Sequence, residues 1–102
     1  MAIVTEEERR ARMIEMLEAN HSFPGPFSLA VVTRNHDEVR DSLRATIEAL
    51  LSEPLPEDAW VAQPSSTGRF VSHRVTMVCR DADHVLTIYA VIQSVQGVIQ
   101  IL

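Results

Sequence analysis

The chain contains no lysine, and all nine of its basic residues are arginine. That excludes a Schiff-base lysine and the P-loop signature, which needs Lys after its second glycine. A single cysteine, Cys79, excludes an intrachain disulfide and a four-cysteine zinc site. One thiol and no disulfide fit a reducing compartment, so the protein is expected to be cytoplasmic. The segment Met1 to Glu8 lacks the basic start and apolar stretch of a secretory signal. The longest apolar-rich run, Val85 to Ile92, falls far short of the ~20 residues that a membrane span requires. No internal repeat or low-complexity tract is present.

Basic clusters are scarce too. Arg9, Arg10 and Arg12 are diluted by Glu6, Glu7, Glu8 and Glu15, and the formal net charge is −5. Phosphate backbones are repelled by such a chain, which makes nucleic acid an unfavourable partner. Neither Phe23 to Phe27 nor Pro64 to Phe70 holds a nucleophile with a base, and all fourteen carboxylates fall outside the expected strands, leaving the open sheet face without an acid–base pair. His21, His36, His73 and His84 have neither H-x-H nor i,i+4 spacing, so a metal site would need folding to gather them with Cys79. No catalytic residue, metal or cofactor is expected.

What is present is an ordinary globular composition: 102 residues, 46% apolar and 23% charged, enough for one core. Thr5 followed by Glu8 is a capping-box pattern, and Glu8/Arg12 is a favourable pair ahead of Met13, Ile14, Met16 and Leu17. The spacing predicts a helix over 5–19, closed by Phe23-Pro24-Gly25-Pro26. Phe27, Leu29 and Val31 then alternate with Ser28, Ala30 and Val32 as a first strand. Asn35 is placed to cap a helix whose apolar residues Val39, Leu43, Ile47, Leu50 and Leu51 recur at helical spacing. Pro54 and Pro56 enforce a connection to a short strand, Ala59 to Gln63. After Pro64-Ser65-Ser66-Thr67-Gly68, Val71, Val75, Met77 and Cys79 line one side of a long strand opposite Phe70, Ser72, Arg74, Thr76 and Val78. Asp81 caps another helix to about residue 95, and Gly97 precedes a last strand, Val98 to Leu102.

The order predicts an α+β, ferredoxin-like βαββαβ fold: a four-stranded antiparallel sheet with two helices on one face. Residues 1–22 form an additional N-terminal helical appendage, and residues 23–102 form the domain proper. The last helix carries apolar residues around more than half its circumference, from Val85 and Leu86 through Tyr89 to Val95. Either the N-terminal helix or another subunit must cover it.

Phe23-Pro24-x-Pro26-Phe27, Pro64-Ser65-Ser66-x-Gly68-x-Phe70-x-Ser72, Ile88-Tyr89 and terminal Val98-x-x-x-Leu102 resemble the YbeD-like family of small bacterial proteins of unassigned function. The resemblance covers roughly residues 20–102. It implies a fold similar to the ACT regulatory domains, which bind small ligands and often pair edge to edge. It implies no reaction. Ala30 stands where a Lys is common in that family, and Phe70 where a Tyr is common, which weakens any polar site those groups form in relatives. The loop Thr33-Arg34-Asn35-His36 also lacks the glycine of an amino-acid effector site.

Candidate ligand-binding residues are Ser65, Ser66, Gly68, Arg69, Phe70 and Arg74, with Ser28 across the sheet. Ser65 to Gly68 suits an anion-binding nest of backbone N–H groups. The same residues suit a hairpin turn satisfied by local hydrogen bonds, and this structural reading is preferred. The expected function is a non-enzymatic, regulatory binding domain that acts on a small anionic ligand or a protein partner and self-associates as a homo-oligomer. The alternatives are an accessory subunit or small enzyme with a site shared between subunits and, third, a weak RNA binder that uses Phe70.

Overall fold

The computed structural model describes residues 4–102; Met1 to Ile3 of the expected appendage lie outside the described residues. The elements run α1 (Glu6–Asn20), β1 (Gly25–Arg34), α2 (Asp37–Leu51), a 3-10 turn (Glu57–Ala59), β2 (Trp60–Pro64), β3 (Phe70–Cys79), α3 (Ala82–Gln93) and β4 (Val98–Ile101). The strands form one antiparallel sheet in the order β2-β3-β1-β4. This is the ferredoxin-like βαββαβ arrangement that the sequence predicts.

The centre of the sheet is the β1–β3 pair, in unbroken register from Gly25 opposite Cys79 to Arg34 opposite Phe70. Both strands alternate strictly. Phe27, Leu29 and Val31 are buried with Val71, Val75, Met77 and Cys79, while Ser28, Ser72, Arg74, Thr76 and Val78 are exposed on the other face. Leu43 and Ile47 of α2 and Val85, Ile88 and Ile92 of α3 close the buried face. Each of these side chains contributes about 1.5–3 kcal/mol by leaving water.

Thr5 caps α1 by accepting the Glu8 N–H at 3.1 Å, and Asp81 caps α3 by accepting the His84 N–H at 2.8 Å. The start of α2 differs from expectation. His36, not Asn35, is its N-cap, and no side chain there accepts a first-turn N–H. Asn35 instead donates its side-chain N–H to Gly68 O at 2.8 Å and its backbone N–H to Arg69 O at 3.0 Å. These two bonds hold the β2–β3 turn against the β1–α2 loop, a use of Asn35 that a local reading of helix starts does not anticipate.

α1 packs on α3: Arg10 pairs with Asp83, and Leu17 reaches the core, although no residue of α1 is fully buried. The two-proline connection is held by α2. Glu48 Oε2 accepts the Leu55 N–H at 2.7 Å, Arg44 donates to Leu55 O at 2.9 Å, and the Arg44 guanidinium lies 5.7 Å from the centre of the Trp60 ring.

Two glycines occupy left-handed backbone. Gly68 has φ +74 with open space where a Cβ would be, whereas Gly97 has φ +96 and a Cβ there would fall 2.5 Å from Val39 Cγ2. Gly68→Ala is expected to cost ~1–2 kcal/mol from backbone strain alone. Gly97→Ala should cost more, because Val39 is β-branched and cannot swing aside cheaply. Urea denaturation should rank the two in that order, and adding Val39→Ala should recover part of the Gly97→Ala loss but none of the Gly68→Ala loss.

Candidate functional site

The residues singled out from the sequence lie in two separate places. Ser65 to Arg69 form the β2–β3 turn and Phe70 opens β3, whereas Arg74 and Ser28 sit mid-sheet on the open face. Arg74 lies four positions beyond Phe70 along the strand, or ~13 Å. Within the turn, Ser65 N–H donates to Phe70 O at 2.8 Å, Gly68 N–H donates to Ser65 O at 3.0 Å, and Phe70 N–H donates to Ser65 Oγ at 3.2 Å. Its polar groups thus close the hairpin locally. Ser28 Oγ and Thr76 Oγ1 bond to each other at 2.8 Å across the β1–β3 pair.

Beneath the same end of the sheet lies a polar cluster that the sequence reading passed over. His73, 2% exposed, is on the core side of β3 and Thr33, 1% exposed, on the core side of β1. Trp60 Nε1 donates to His73 Nδ1 at 3.1 Å, and His73 Nε2 lies 2.9 Å from Thr33 Oγ1, which in turn donates to Arg34 O at 2.9 Å. Since the indole can only donate, Nδ1 must accept. Thr33 gives its proton to Arg34 O, so its oxygen accepts the Nε2–H. The chain Trp60→His73→Thr33→Arg34 is therefore complete with one neutral tautomer. Burial, and then the Arg40 charge, hold the His73 pKa below its ordinary value, in keeping with that tautomer.

Thr33 and His73 form one wall of a cavity of about 210 Å³ between the β1–α2 loop and the β2–β3 edge. Arg34, His36, Asp37 and Arg40 line its other side. Arg34 and Arg40 form no ion pair among the described residues. Two arginines and Asp37 among the lining residues give this corner a formal charge of +1 in a chain of −5.

The signal for this cluster was the strand alternation itself. Thr33 continues the Phe27, Leu29, Val31 series, and His73 falls between Val71 and Val75, so both had to face the core. That Trp60 would meet them could not be read, because β2 is short and its register is set by the turn.

Cys79 is buried, and desolvation, followed by the Asp81 charge, pushes its thiol up to about 11. Burial likewise raises the Tyr89 phenol. His84 takes the Arg80 N–H on Nδ1 at 3.1 Å. Among the described residues no three His, Cys, Asp or Glu side chains come together as a metal site, and no helix is long and apolar enough to cross a membrane.

The neutral state of His73 has a pH signature. An unfolded histidine takes up a proton near pH 6.5, before the folded one does, so the stabilisation is complete above about pH 7 and is lost as pH falls below about 6.5. The wild-type urea midpoint should drop between about pH 7.5 and about pH 5.5 by more than that of His73→Gln, which keeps an acceptor and a donor without a titrating ring. Equal drops would show that His73 is not the group responsible.

No curated protein and no solved structure matches the chain. The family described as protein of unknown function, DUF493, matches residues 18–102, in keeping with the YbeD-like resemblance of the same stretch, and the chain belongs to that family.

Proposed function

We propose that this is a recognition domain with no bond-making role, and that it takes a small carboxylate or phosphate in the cavity at the β1–α2 corner. The observation that carries the reading is the pair of arginines that line the cavity, Arg34 and Arg40, free of carboxylate partners among the described residues, at the uncapped start of α2. Guanidinium forks match the planar, two-oxygen geometry of a carboxylate and the edge of a phosphate. The first turn of a helix adds N–H groups and the positive end of its dipole. The wall of Thr33 and neutral His73 contributes no negative charge, and Asp37 limits the site to small anions that can avoid it.

A ligand that bridges Arg34 on β1 and Arg40 on α2 joins strand to helix at the point where Asn35 already anchors the β2–β3 turn. Occupancy would therefore stiffen the corner and the turn together, which suits a regulatory role.

Titration with inorganic phosphate and with succinate at low ionic strength, followed by backbone amide NMR, tests the reading. Shifts are expected at residues 33–40 and at the Trp60 indole N–H. Arg34→Ala and Arg40→Ala should each weaken binding by about tenfold, or ~1.4 kcal/mol, while Arg74→Ala on the open sheet face should leave it unchanged. Shifts confined to residues 65–70 would move the ligand seat to the hairpin turn, and no shift with either probe would end the anion reading.

A further inference from the structure

α1, α3 and the end of β4 enclose an open groove of about 450 Å³ that shares no lining residue with the β1–α2 cavity and is lined chiefly by Met13, Leu86, Tyr89, Ala90, Ile101 and Leu102. Six large apolar side chains are exposed in the described chain, and four of them, Met13, Met16, Ile99 and Leu102, belong to α1 or to the β4 end. α1 itself has no buried residue. A 15-residue helix is marginal in water without a packed face, since most helical stability in proteins comes from burying an apolar stripe. Exposed apolar surface is thus concentrated on α1 and the β4 end.

Charge selects the occupant. The ionic side chains lining the groove are Glu6, Arg9 and Arg10; Glu6 and Arg9 pair at 3.6 Å, and Arg10 is offset by Asp83 outside the lining, so each charge at the groove has an opposite partner. The ten residues from Gln93 to Leu102 carry no charged side chain. The whole chain carries −5, so two copies repel over most of their surface, and this face is where they can meet without that repulsion. A basic or acidic partner would find no complementary field here, whereas a surface bearing both signs in equal number complements itself under a two-fold axis.

We infer that the α1–α3–β4 groove is an isologous dimer interface, occupied by the same groove of a second copy of this chain. The contact is apolar, so it persists in high salt. It lies apart from the β1–α2 corner, and anion binding there neither requires nor reports it.

Sedimentation equilibrium of the full chain from about 5 to about 300 µM tests the interface. The expected mass is twice the 11.4 kDa of one chain, unchanged in about 1 M salt. Met13→Glu and Leu102→Asp should each raise the dimer dissociation constant at least about tenfold while circular dichroism stays that of the wild type; Val78→Glu, on the open sheet face, should not. A wild-type chain that stays monomeric at the highest concentration overturns the inference whatever the variants do, including the case in which a different protein fills the groove. A dimer that tolerates both groove substitutions with the fold intact, or that is broken by Val78→Glu alone, overturns it as well.

Discussion

Ten consecutive cross-strand pairs between β1 and β3, Gly25 opposite Cys79 through Arg34 opposite Phe70, determine how everything else is placed. A slip of one residue would turn Leu29, Val31 and Val75 to water and Ser28, Arg74 and Thr76 into the core. The register is held at one end by the packed Phe27, Met77 and Cys79 and at the other by the clasp of Asn35 on Gly68 and Arg69. With that pair fixed, α2 and α3 have a single apolar face to cover. The two remaining strands add at the edges, β2 through a five-residue turn and β4 after Gly97.

The same register carries a polar group into the core. A histidine on the buried side of a central strand would cost stability if either ring nitrogen were left without a partner. Thr33, diagonal to it on β1, and Trp60, reached from β2, supply those partners. The result is a directed row of hydrogen bonds crossing three strands and ending at the Arg34 carbonyl. Each member fixes the rotamer of the next, so the end of the sheet beside the cavity is more rigid than apolar packing alone would make it. A preorganised wall of this kind favours binding, because little ordering is left to be done when a ligand arrives.

Much of the fold was legible because period-two and period-3.6 patterns seldom conflict in this chain. The three helices, the four strands, the caps at Thr5 and Asp81 and the inward side of β3 all followed from spacing. The start of α2 did not. Asn35 has the chemistry of a cap, but a neighbouring turn offers it two carbonyls, and tertiary hydrogen bonds outweighed the local one. The candidate site was harder to read for a related reason. Ser65 to Gly68 look like an anion nest in sequence, yet the Ser65 and Gly68 N–H groups close the hairpin, while Arg34 and Arg40 look like solvated charges and gain meaning only when β1 and α2 bring these residues to one cavity. Local chemistry in a sequence names groups able to bind, and only the fold shows which of them are already engaged.

The exclusive use of arginine fits this division of labour. Arg44 donates to the Leu55 carbonyl, approaches Glu48 and lies over Trp60, three contacts at once that a compact ammonium could not make. Arg10 reaches from α1 to Asp83 and ties α1 to α3. Both act as structural braces. Arg34 and Arg40 carry the same group with no such carboxylate partner among the described residues. Arg40 also stands close enough to His73 to help keep it neutral. Burial first, and the Arg40 charge second, keep the His73 imidazole neutral, and the same cation that disfavours a second positive charge at this corner would favour the small anion proposed for it.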